Sequence, residues 1–192
     1  MEYVYELAKK RATIREFKDE SVPLDDVIYA LNVAKEAPSG ANKQPWRFVI
    51  VTDMKKKHKI REFCEEIEKQ FHELAPDWMK KWFKKRNITW KKPFLENAPV
   101  LILVFADNKA PYYIQSTWIA IGYLLLALEE KGLATVTYTP SKIRWFNEFF
   151  DIPQNYVLQV ILPIGKPATD SYKKQPRKKL EELIFDIEKD KK

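Results

Sequence analysis

The chain has 192 residues, one cysteine (Cys64), two histidines (His58 and His72) and a formal net charge of +7. So few thiols and imidazoles exclude an internal disulfide framework and argue against a protein-bound metal, while the length suits a single domain over residues 1–192 with a core that needs no staples. The positive charge sits in runs at 55–57, 80–86 and 173–179, interleaved nearby with Glu65, Glu66 and Glu68. Without zinc-finger spacing or an aromatic RNA-binding motif this reads as solvated surface, so no nucleic-acid partner is expected. No apolar run reaches the length of a membrane span, and an N-terminus carrying Glu2 and Glu6 lacks a signal-peptide pattern, so the expected location is cytoplasmic, away from membranes. Abundant Lys and Glu with scarce Cys and Met follow the bias of thermophile proteins.

In chain order, residues 3–10 read as a short helix that delivers Arg11. Pro23 opens a second helix, Asp25 and Asp26 complement its dipole, and Val27, Ile28, Leu31 and Ala34 form its apolar stripe until Pro38 stops it. Trp46 to Thr52 predicts a strand, and Asp53 the N-cap of a helix whose inner face is Ile60, Phe63, Cys64, Ile67 and Phe71. Past Pro76, Trp78, Met79, Trp82, Phe83 and Trp90 are scattered among lysines and arginines. That composition fits either an amphipathic helix packed on a sheet or a lid over a ligand, within a covering segment of about 65–95.

The unbroken apolar run within Ala98 to Ala106 predicts a central strand buried on both faces. Tyr113 to Lys131 predicts a core helix, apolar nearly all round, with Ile119, Tyr123, Leu124, Ala127 and Leu128 inside and Gly132 at its end. Its excess of apolar surface points to another subunit. Leu133 to Pro140 predicts a strand ending in hydroxyl side chains, Ile143 to Phe150 a helix, and Tyr156 to Ile164 the last clear strand. An extension over 167–192 is polar and basic yet carries Leu180, Leu183, Ile184 and Phe185, which should dock on the sheet or on a partner.

Two stretches carry the chemistry. The first, Arg11-Ala12-Thr13-Ile14-Arg15, offers two guanidinium forks and a hydroxyl, the donors a phosphate takes. The second, Ala37 to Phe48, contains Ala-Pro-Ser-Gly-Ala-Asn-Lys-Gln-Pro-Trp, a polar, backbone-rich turn between a helix and a strand. Together they resemble the N-terminal signatures of the FMN-dependent nitroreductase family. Within it, further blocks are similar to the iodotyrosine deiodinase branch: 57–61 (Lys-His-Lys-Ile-Arg), 98–102 (Ala-Pro-Val-Leu-Ile), 132–140 (Gly-Leu-Ala-Thr-Val-Thr-Tyr-Thr-Pro), 162–165 (Leu-Pro-Ile-Gly) and 176–181 (Pro-Arg-Lys-Lys-Leu-Glu).

The resemblance implies an α+β fold with a central, mostly antiparallel sheet flanked by helices, and a homodimer with exchanged C-terminal tails and one FMN in each interfacial site. It implies that Arg11, Ala12, Thr13, Ile14 and Arg15 hold the phosphate and pyrimidine side of the flavin and that Arg177 adds a third cation. Pro38, Ser39, Gly40 and Asn42 would come from the opposite subunit, and Tyr138, Thr139 and Pro140 would lie near the ring. The reaction implied is reductive removal of halogen from halogenated tyrosine or a small aromatic phenol, with NAD(P)H as electron donor. Its catalytic groups would be the Ala41 amide, which meets the phenolate oxygen, and the Tyr138 hydroxyl, where the family usually has a Thr near flavin N5. A Glu, a Tyr and a Lys grip the amino-acid end in this branch; Glu68 and Lys92 match two of them, and the Tyr position falls at Phe71 or His72. That departure leaves a general nitroaromatic or quinone reductase as the alternative activity, with a non-enzymatic basic binding protein as a minor one.

Overall fold

The computed structural model describes residues 3–169, 172 and 174–185. Glu2, Lys173 and the end of the extension, 186–192, lie outside the described residues. The run Val-Leu-Ile-Leu-Val-Phe forms the middle of strand β2 (Val100–Asp107), buried along nearly its whole length. It pairs antiparallel with β1 (Trp46–Val51) on one side and β4 (Tyr156–Gly165) on the other, and β3 (Ala134–Thr135) completes the order β1-β2-β4-β3. A lone parallel bridge between Thr13 and Thr135 extends the sheet past β3.

Alternation along β2 then sorts the core into two layers. Val100, Ile102 and Val104 face helices α2 (Leu24–Lys35) and α6 (Tyr113–Glu130), while Leu101, Leu103 and Phe105 face α3 (Met54–Leu74), α5 (Phe94–Asn97) and α7 (Arg144–Phe150). Burial of each such side chain stabilises the fold by roughly 1.5 to 3 kcal/mol. Asp53 caps α3 by accepting from the Lys56 amide at 2.8 Å, and Gly132, at φ 67°, ends α6 in the left-handed conformation that a Cβ disfavours. The first helix, α1 (Tyr3–Lys10), lies on α6.

Four elements depart from the sequence expectation. The segment Leu133 to Pro140 pairs as a ladder only at Ala134–Thr135 and rejoins β4 through a bridge between Tyr138 and Ile161, because Thr137 turns out to solvent between them. In α6, Leu124, Ala127 and Leu128 are buried, but Ile119 and Tyr123 stand exposed beside Ile114 and Trp118. In α2 and α3 likewise, Ile28 and Phe71 are exposed instead of buried. The covering segment contains an amphipathic helix, α4 (Asp77–Lys85), none of whose residues is buried. Among the described residues no helix is long and apolar enough to cross a membrane, and no group of three or more His, Cys, Asp or Glu could hold a metal.

Candidate active site

The polar turn after α2 is built to present backbone. Ser39 is extended, Gly40–Asn42 form one 3-10 turn, and Ala41, Asn42 and Gln44 have φ of 50°, 52° and 46°. The Ser39 hydroxyl accepts from the Gln44 amide at 2.9 Å, and Ser116 of α6 accepts from the Gly40 amide at 3.2 Å. A Cβ on Gly40 would stand 2.8 Å from the Tyr112 ring and 3.1 Å from the Pro111 carbonyl, so only glycine fits. The Ala41 amide has no acceptor among the described residues, and Pro38, Ala41 and Asn42 are exposed.

At the opposite edge of the sheet the Arg11 to Arg15 stretch runs beside β3. The Ile14 amide donates to the Thr135 carbonyl at 3.0 Å, and Ile14 is buried, so alternation turns Thr13 and Arg15 outward. From the extension, Lys174 donates to the Ala8 carbonyl, and the charges of Arg177 and Arg11, after burial, hold its pKa down. Lys174 thus lies within electrostatic range of Arg11, Arg177 and Glu129, and none of Arg11, Arg15 and Arg177 has an acidic partner among the described residues. That donor set fits a phosphate. The polar turn precedes β1 and the arginines flank β3, which are the two edges of the sheet, about 15 Å apart across three strand spacings. No hydrogen bond or ion pair joins the two stretches among the described residues.

Between α3 and the segment that precedes α5 lies an ion pair. Lys92 is only 8% exposed; its Nζ lies 3.3 Å from Glu68 Oε2 and donates to the carbonyls of Thr89 and Trp90 at 2.9 and 3.2 Å. Its backbone amide donates to Glu65 Oε1 at 2.7 Å. Glu65 and Glu68, one turn apart on α3, thus share a face, whereas Glu66 pairs with Gln70 away from it. Of the two residues at the family's Tyr position, Phe71 is exposed, while His72 stacks on Phe83 of α4, ring centroids 4.2 Å apart at 15°. Burial, and then the Lys92 charge, lower the His72 pKa, which favours the neutral imidazole.

Tyr138 is buried, and its hydroxyl donates to Glu68 Oε1 at 3.1 Å. Its side chain points into the core, whereas the Thr137 and Thr139 residues are exposed and Thr139 donates its hydroxyl to the Gln159 carbonyl at 3.1 Å. Pro140 is buried next to it. The hydroxyl expected at the flavin is thus hydrogen-bonded to Glu68. Sequence reasoning missed this link, as well as Glu65 and Lys174; for Glu65 the three-residue spacing to Glu68 was the available signal.

The Nitroreductase family model matches residues 8–166, and the chain belongs to that family. Its relatives can be named more narrowly. It is 52% identical to iodotyrosine deiodinase of Thermotoga neapolitana over 92% of this chain and 95% of that protein. Against iodotyrosine deiodinase of Haliscomenobacter hydrossis the identity is 36%, covering 85% and 79%. The fold superposes on a crystal structure of oxidised iodotyrosine deiodinase bound to FMN and 3-iodo-L-tyrosine with a TM-score of 0.87, at 52% identity and with 92% and 95% of the two chains covered.

Proposed function

We propose that this protein is an FMN-dependent reductive dehalogenase of halogenated tyrosines, acting as a cytoplasmic homodimer with NADH or NADPH as electron source. The observation that carries this reading is the Glu68–Lys92 pair, a half-buried carboxylate and a buried ammonium 3.3 Å apart, which sets one anion and one cation side by side for a zwitterion to exchange with. A nitroaromatic or quinone has no use for such a clamp. FMN, when bound, supplies two electrons, and halotyrosine with one proton becomes tyrosine and halide. Arg11, Arg15 and Arg177 compensate the phosphate charge, with Thr13 beside them. Thr139 and Pro140, with the backbone of Tyr138, border the ring. The partner copy's polar turn completes the site from across the interface, where its unpartnered Ala41 amide donates to the phenolate oxygen. Lys92 takes the substrate carboxylate and Glu68 its ammonium. His72 and Phe83 brace α4 over them and limit water.

The test is an anaerobic titration of the reduced holoprotein with 3-iodotyrosine, 3-bromotyrosine and a nitrophenol. Stoichiometric flavin reoxidation with release of iodide or bromide and tyrosine is expected for the first two. Reoxidation by the nitrophenol alone would replace this reading with a general nitroreductase.

Assembly gives a second test. The exposed stripe of Ile114, Trp118, Ile119 and Tyr123, with Leu180, Leu183, Ile184 and Phe185 of the tail also uncovered, is the surface a second copy would bury. Dilution that produces monomers is therefore expected to release FMN in parallel, followed by light scattering and flavin fluorescence. A monomer that retains its flavin would refute the shared site.

A further inference from the structure

Glu68 sits on α3, and its carboxylate is attached at both oxygens. Oε2 meets Lys92, while Oε1 accepts from Tyr138, which belongs to a different layer of the molecule. Tyr138 is fixed at three points. Its amide donates to the Ile161 carbonyl at 3.0 Å and its carbonyl accepts from the Ile161 amide at 2.8 Å, tying it to β4. Its ring meets Phe94 edge-on, with centroids 5.8 Å apart. A glutamate otherwise keeps much rotamer freedom, and an immobile donor removes it before any ligand arrives.

The proton stays on the hydroxyl. Burial first, then the neighbouring Cys64 and Glu68, push the Tyr138 pKa far up, and burial pushes the Cys64 thiol up to about 12, so both groups are neutral and Glu68 is the acceptor. Resting on the reading of Glu68 and Lys92 as the amino-acid clamp, we propose that Tyr138 is a positioning residue whose hydroxyl aims the Glu68 carboxylate at the substrate ammonium. It thereby sets the preference for phenols that carry an amino-acid side chain over phenols that do not.

The readout is the ratio of dissociation constants for 3-iodotyrosine and 2-iodophenol, measured by flavin fluorescence on oxidised, FMN-loaded protein. Because it is a ratio on folded holoprotein, a loss of stability in a variant does not move it. Tyr138→Phe keeps the ring packing and is expected to reduce the preference for iodotyrosine about tenfold, the size of one hydrogen bond to a charged group. Glu68→Gln should also reduce it, and the double variant should fall no further than Glu68→Gln alone. Equal weakening of both ligands by Tyr138→Phe would place its hydroxyl at the ring and overturn the proposal, as would full additivity in the double variant. An unchanged ratio in Glu68→Gln would overturn the clamp itself, and with it the role of Tyr138.

Discussion

Arg15→Ala and Arg177→Ala are each expected to weaken FMN binding by about 2 to 4 kcal/mol, thirty- to several-hundredfold in Kd, because each removes a charge-assisted donor to the phosphate. Both side chains are exposed and neither has an acidic partner among the described residues, so truncation leaves no buried charge behind and the fold should tolerate it. Their cost should appear in cofactor affinity and not in the unfolding of the flavin-free protein. Titration of that protein with FMN, followed by quenching of flavin fluorescence, measures it directly. Wild-type affinity in both variants would mean that the phosphate lies elsewhere.

Lys92→Ala should lower affinity for iodotyrosine by one to two powers of ten, from the loss of a contact worth about 1.5 to 3 kcal/mol, and leave a nitrophenol nearly unaffected. Seven lysines and arginines lie between residues 76 and 92, yet Lys92 alone among them is buried, so the effect should be confined to it. The substitution also deprives Glu68 of its ion partner and will cost stability. Comparison of the two ligands on the same preparation separates that loss from recognition. Equal weakening of both, or of neither, would reduce Lys92 to a structural lysine.

Elements whose chemistry is local could be read from the chain. The unbroken apolar run of β2, the Asp53 cap and the glycine after α6 each rest on a few adjacent residues, and each stands where the pattern put it. Orientation was harder. A helix apolar nearly all round carries no marker of which side faces the sheet, so Ile119 and Tyr123 were assigned inward and lie outward. The same holds for 133–136, buried at every position, which conceals the alternation that turns Tyr138 inward after it. In the site, Glu68 could not be told from its acidic neighbours by spacing alone. Proximity to Lys92, twenty-four residues away in the chain, is a tertiary fact.

The turn at Ala41, Asn42 and Gln44 has a consequence for how this protein can change. Three non-glycine residues in the left-handed region each cost roughly 1 kcal/mol, and the Ser39, Ser116 and Asn42 hydrogen bonds hold them there. Replacing Ala41 with glycine would relax that strain and remove the stiffness that keeps the amide aimed. With the Ala41 amide in the proposed role, selection for greater heat resistance and selection for catalysis pull in opposite directions at this turn, and stabilising substitutions elsewhere in the sheet and helices are the route by which the fold can gain one without surrendering the other.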